Sequence, residues 1–176
     1  LTAKLVDTRN LAFIYIAIVV VCFSVGYFNA GVGRPPDDVE KLGTHFIWFV
    51  FIANTITILF MYLLSTVGLA IPFIIKNLYS IGYAAKASGI PPLIYFPVSL
   101  IHGIFELIAL FLVLFTCIQN IKILILIKKG GESQSAFWTF NKRLLRREIP
   151  LTVVLLIVGA LLEILVSNRL IAAIVG

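Results

Sequence analysis

The chain is 176 residues long and 61% hydrophobic, with 14 Lys and Arg against 8 Asp and Glu and a net charge of +6. Soluble domains hold about 45–50% apolar residues and disordered chains far fewer, so this composition excludes both. A nucleic-acid binder needs a basic surface facing water, which most of this chain lacks, so no nucleic-acid partner is expected. The charge-free run 46–75 and the run 93–121, which holds one acid and one His, mark an integral membrane protein, since a bilayer-spanning helix needs ~20 apolar residues. Cys22 and Cys117 both lie within apolar runs, which argues against a disulfide framework. No glycine-rich phosphate loop, paired CxxC or HExxH occurs.

The sequence starts at Leu1, and Lys4 and Arg9 before the apolar run imitate a signal peptide. Phe28-Asn29-Ala30 lacks the small residues of a cleavage site, so the run reads as a retained first helix over 11–28. The loop from Asn29 to Thr44 carries Gly31, Gly33, Pro35 and Pro36 with Asp37, Asp38 and Glu40, and is expected outside the bilayer. A second helix begins near His45 or Phe46, with Trp48 at an interface. Residues 46–75 as a single helix would measure about 45 Å against a hydrocarbon core of about 30 Å. Either that helix tilts, or the chain turns near Thr66-Val67-Gly68 and returns as a short helix to about Ala87, with Gly82, Ser88-Gly89 and Pro91-Pro92 ending that segment. A further helix is expected over 94–119, then a basic loop, then a last helix over 150–167 started by Pro150.

The expected fold is therefore all-α. It is a single integral membrane domain over residues 1–176, a polytopic helical bundle of about five transmembrane helices, one of them short or re-entrant, plus a basic interfacial segment. With the N-terminus cytoplasmic, Lys4, Arg9, Lys122, Lys128, Lys129, Lys142, Arg143, Arg146 and Arg147 face inward against Arg34, Lys41, Lys86 and Arg169 outside. A four-helix arrangement separates the charges almost as well; five also places the acidic 37–40 stretch outside. Between Glu132 and Arg147, Trp138 and its neighbouring rings alternate with Lys142, Arg143, Arg146 and Arg147. That composition suits either a helix at the lipid surface or a partner contact, or a solvated loop that sets topology.

Ionisable groups within a membrane cost about 2.5–3.5 kcal/mol on insertion scales and so face protein or water. Lys76, His102, Glu106 and Glu163 occupy such positions. His102 and Glu106 lie four residues apart, hence on one helix face. Tyr95 and Ser99 extend that stripe one way, Thr116 and Asn120 the other. Gly159, Glu163 and Ser167 repeat at the same spacing, and helix 2 offers Asn54, Thr57, Met61, Ser65 and Gly68. Three roles fit these residues: interhelical hydrogen bonding, a pocket or conduit for a peptide, ion or lipid, or a site in which His102, Glu106 and Glu163 act as catalytic groups or hold a divalent metal. No cofactor is otherwise expected.

Leu100-Ile101-His102-Gly103-Ile104-Phe105-Glu106-Leu107 resembles the HG-x-x-E signature of the stage II sporulation protein M (SpoIIM)-like membrane proteins. Asn54 followed by Gly68, the short segment with Asn77 and Gly82, and Val158-Gly159-Ala160-Leu161-Leu162-Glu163 are similar to further features of that family, from Phe46 to the C-terminus. Leu110 to Thr116 is bulkier than the family pattern, and Lys76 is an unusual charge. The resemblance implies a bacterial cytoplasmic membrane protein acting in a cell-envelope complex. Founding members belong to a sporulation engulfment complex with cell-wall hydrolases; short relatives occur in circular bacteriocin gene clusters, with roles in maturation, export or immunity. It marks Asn54, Gly68, His102, Gly103, Glu106 and Glu163 as candidate positions, with Lys76 and Asn77 beside them. Expected partners are lipids and other membrane proteins, among them an ABC-type ATPase or a hydrophobic peptide; a homo-oligomer is also compatible. The rival readings are a membrane-embedded peptidase or ligase and a scaffold for cell-wall remodelling.

Overall fold

The computed structural model describes residues 8–33 and 42–175, and no strand occurs among them. The helices are α1 (Thr8–Asn29), α2 (Phe46–Ser65), α3 (Ala70–Ala87), α4 (Pro92–Lys128), α5 (Gln134–Arg143), α6 (Ile149–Leu162) and α7 (Asn168–Val175). Two π-helical turns, Leu144–Glu148 and Glu163–Ser167, join α5 to α6 and α6 to α7, so the chain runs on as helix from Gln134 to Val175. Four helical stretches among the described residues are long and apolar enough to cross a membrane: α1, α2, α4 and the α5–α7 run. Large apolar side chains such as Phe49, Leu63 and Val20 stand exposed on their outer faces, far more than a protein in water displays. The molecule is an all-α helical membrane bundle.

Glycine settles the ambiguity after helix 2. Gly68 adopts φ +84°, and the Leu69 and Gly68 amides bond back to the Leu64 and Ser65 carbonyls, which closes α2. The chain then returns as α3, and Phe60 meets Phe73 edge-on across the hairpin at 5.7 Å between ring centres. At 18 residues, α3 is about 27 Å long and is the short helix the sequence predicts. Its buried face is Ala70, Ile74, Leu78, Gly82 and Ala85, so Gly82 does not help to end the helix as the sequence suggests but lies inside it, against α1.

α1 packs on α3 through two glycines. A methyl group on Gly26 would collide with the Tyr79 carbonyl oxygen, and one on Gly82 with that of Phe23. The helix backbones therefore touch where they cross, the use membrane bundles make of small residues. Tyr15 on α1 donates to the Leu107 carbonyl at 2.8 Å and so ties this pair to α4.

Two boundaries differ from the sequence expectation. α4 continues to Lys128 because no breaker interrupts the Ile121–Ile127 run; Gly130 (φ +70°) and Gly131 then bond back to Ile127 and Leu126 and end it. The last helix begins at Gln134, far before Pro150, and the basic segment is its first part. Proline lacks the N–H of a helix interior, and the wider turn before it accommodates that: Ile149 N–H reaches back five residues to the Leu144 carbonyl. α5 runs lengthwise along the end of α4, where Asn141 Nδ2 donates to Asn120 Oδ1 at 3.0 Å. Trp138, Lys142 and Arg143 stand exposed on it, and Arg146 and Arg147 on the π turn that follows. The acidic 37–40 stretch, Arg34, Lys41 and Lys4 lie outside the described residues.

Candidate functional site

α4 and the α6–α7 run are antiparallel, and their registered pairs fix the site. Thr116 Oγ1 donates to Glu148 Oε2 at 3.0 Å near one end, and His102 Nδ1 lies 2.9 Å from Ser167 Oγ near the other. Ser167 Oγ also donates to the Val98 carbonyl at 3.0 Å. A serine has one hydroxyl proton, so His102 Nδ1 is the donor of its pair. A neutral His102 then keeps its lone pair on Nε2. Ser167 thus sets both the ring's orientation and its tautomer.

His102, Gly103, Glu106 and Glu163 line a common cavity of about 390 Å3 together with Asn77 and Ser80 of α3 and Tyr95 and Ser99 of α4. The second π turn starts at Glu163, and its Asn168 amide bonds to the Glu163 carbonyl five residues back. That extra residue brings Asn168, as well as Ser167, to the cavity. Asn168 Oδ1 also accepts from the Leu42 amide at 2.8 Å, which seats the chain entering α2 at the rim. At mid-bundle, Asn54 Nδ2 on α2 donates to Glu106 Oε1 at 2.5 Å. Gly103 leaves open space, for a Cβ there would meet nothing within 4 Å.

The cavity is a vestibule rather than a passage. Its lining runs from Glu106 and Asn77 at mid-bundle to Leu42, Ala84, Tyr95 and Ile171 at the end where α1 stops and α2 starts. Beyond Glu106 lies a space of only about 40 Å3, lined by Ile58, Leu110 and Leu156 together with Asn54, Thr57 and Asn77, room for no more than a water or two. The buried Val113 and Leu114 follow. This apolar floor separates the vestibule from the Thr116–Glu148 pair.

Of the residues singled out from sequence, Asn54, Asn77, His102, Gly103, Glu106 and Glu163 therefore meet in one place. Lys76 does not; it is exposed on α3, outside the cavity lining. Among the described residues no group of three His, Cys, Asp or Glu is placed to hold a metal. Sequence reasoning overlooked Asn168 and Glu148, one brought in by a π turn and the other carried in one. It also overlooked Tyr62, which donates to Thr152 Oγ1 at 2.9 Å while Thr152 bonds the Glu148 carbonyl.

A second hollow, about 580 Å3 and almost wholly apolar, lies between α2, α4 and α5 and includes Leu59, Leu63, Leu124, Trp138 and Leu145. Lys142 and Arg143 of α5 and Arg146 and Arg147 of the following π turn line a separate cleft with Thr139.

No family model matches this chain, and neither the curated proteins nor the solved structures yield a match.

Proposed function

We propose that this chain is a membrane-embedded binding subunit of a bacterial cell-envelope complex, whose vestibule holds the polar part of a hydrophobic peptide during its maturation, export or immunity. The observation that carries the reading is the polar vestibule: two carboxylates, an imidazole and several amides and hydroxyls on a space of about 390 Å3 that narrows to about 40 Å3 beyond Glu106 and gives way to the buried Leu110, Val113 and Leu114. Intramembrane ionisable groups in a cavity mark substrate sites far more often than ordinary packing positions do. A floor of buried Leu and Ile argues for binding over conduction. The resemblance of His102-Gly103-Ile104-Phe105-Glu106 to the SpoIIM-like signature supports a role in the cell envelope. The cationic α5, at the bundle end opposite the vestibule, favours a cytoplasmic position for that end.

The test is a photoreactive residue in place of Gly103 in native membranes. It is expected to crosslink to a polypeptide other than this chain, and Glu106→Gln or Glu163→Gln is expected to reduce that product while insertion is unchanged. Glu132→Gln, in the α4–α5 connection, serves as the control. Adducts to lipid alone, or equal yields from all three variants, overturn the reading.

A further inference from the structure

The groups that line the vestibule define what it can recognise, provided the binding reading above holds. Glu106 and Glu163 contribute carboxylates from two helices, and an ionised carboxylate only accepts hydrogen bonds. His102 donates through Nδ1 to Ser167, because the Ser167 proton is committed to Val98, so a neutral His102 adds no positive charge to the cavity. Among the described residues that line the cavity, none is Lys or Arg. Two acids in a membrane bundle with no cation beside them among the described residues are costly, and a cationic ligand relieves that cost. The remaining wall supplies apolar contact through Ile81, Ala84 and Ile171.

We propose that the vestibule recognises a protonated primary amine carried on an apolar chain, with Glu106 and Glu163 as its counter-charges and hydrogen-bond acceptors. An alkylammonium group presents three N–H donors at the tip of a flexible stem, which suits carboxylates drawn from α4 and the π turn into one cavity. A lysine side chain or a free N-terminus of a membrane peptide has this chemistry. A carboxylate or phosphate ligand would meet like charge, and a quaternary ammonium would satisfy the charge but leave the acceptors without donors.

The experiment uses the full chain in lipid nanodiscs at pH 7 and measures how fast N-ethylmaleimide modifies a Ser99→Cys variant. Peptide mass spectrometry separates the introduced thiol from Cys22 and Cys117. The probes are n-hexylammonium, n-hexyltrimethylammonium and n-hexanol. Hexylammonium is expected to slow modification at least fivefold at saturation, and the other two to change it by less than twofold. Glu163→Gln, added to the labelled variant, is expected to raise the half-protecting concentration about tenfold, equivalent to ~1.4 kcal/mol. Equal protection by hexanol overturns amine recognition and leaves the binding reading intact. Equal protection by the trimethyl compound overturns recognition through the N–H donors of a primary amine. If none of the probes protects, and Gly103→Cys labelled in the same way agrees, the amine proposal falls, whereas the peptide reading stands or falls on its crosslink.

Discussion

Asn54 on α2 donates to Glu106 on α4 across 2.5 Å, the contact that joins these helices beside the vestibule. Asn54→Ala removes the donor and leaves a half-buried acceptor. Interhelical hydrogen bonds in membranes average ~0.6 kcal/mol and reach ~1.7, so a loss of about 1 kcal/mol is expected. Glu106→Gln retains an amide carbonyl to accept from Asn54 and is expected to cost less than half of that. Reversible unfolding in mixed detergent micelles, run as a double-mutant cycle, measures the coupling. An Asn54→Ala variant as stable as the parent contradicts the bond.

The α1–α3 crossing makes a sharper prediction. Gly26 and Gly82 each face the other helix's backbone with no room for a methyl group, and a main chain cannot move aside as a side chain can. Gly82→Ala is expected to destabilise the bundle by about 1–3 kcal/mol, the range for overpacking, or to detach α1. Gly159→Ala is the matched control: its Cβ would lie 3.6 Å from the His102 carbonyl oxygen, an ordinary contact. Thermal unfolding followed by size-exclusion chromatography separates the two, and equal behaviour rules out the close crossing.

These contacts also mark what was readable in advance. The helices follow from charge-free runs, because lipid tolerates little else, and the α2–α3 turn follows from Gly68 interrupting 30 apolar residues. The His102–Glu106 stripe was visible because α4 is regular there. Lys76 misled, since a charge in an apolar segment implies an interior place, yet a lysine on an exposed face can extend its stem to the interface. Asn168 was hidden by the assumption of 3.6 residues per turn. A π turn shifts the phase by one residue, and no residue pattern in 163–167 announces it. The Gly26–Gly82 contact was equally silent, because each helix contributes only one glycine.

That phase shift can itself be tested. A π turn amounts to one residue inserted into an α-helix, so removing one residue from Leu144–Glu148 lets the flanks keep their registers as plain α-helix. Deletion of the exposed Leu145 is expected to preserve the facing pair Asn120 and Asn141, whereas deletion of the exposed Leu151, in regular α6, rotates one flank by about 100°. Cysteines at 120 and 141 report the result as an oxidative crosslink. It should form in the first deletion and fail in the second. Loss in both would mean that the turn is required for α5 to lie along α4.

The orientation proposed for the bundle has a direct consequence for access to the vestibule. Lys122, Lys128, Lys129, the two cations of α5 and the two of the π turn that follows it gather at the bundle end that holds the α2–α3 turn and the start of α1. The vestibule rim at Leu42 and Asn168 lies at the other end. Positive residues stay cytoplasmic, so the vestibule should open outward. A membrane-impermeant maleimide is expected to label Gly31→Cys in intact cells and Ser135→Cys only after lysis; both positions are exposed. Replacing Arg143, Arg146 and Arg147 with Gln removes three of the charges that hold this arrangement, and is expected to give a mixed population in which both sites label. Labelling of Ser135→Cys alone in intact cells reverses the orientation. The cavity would then draw its ligand from the cytoplasm, and the cationic helix would face outward.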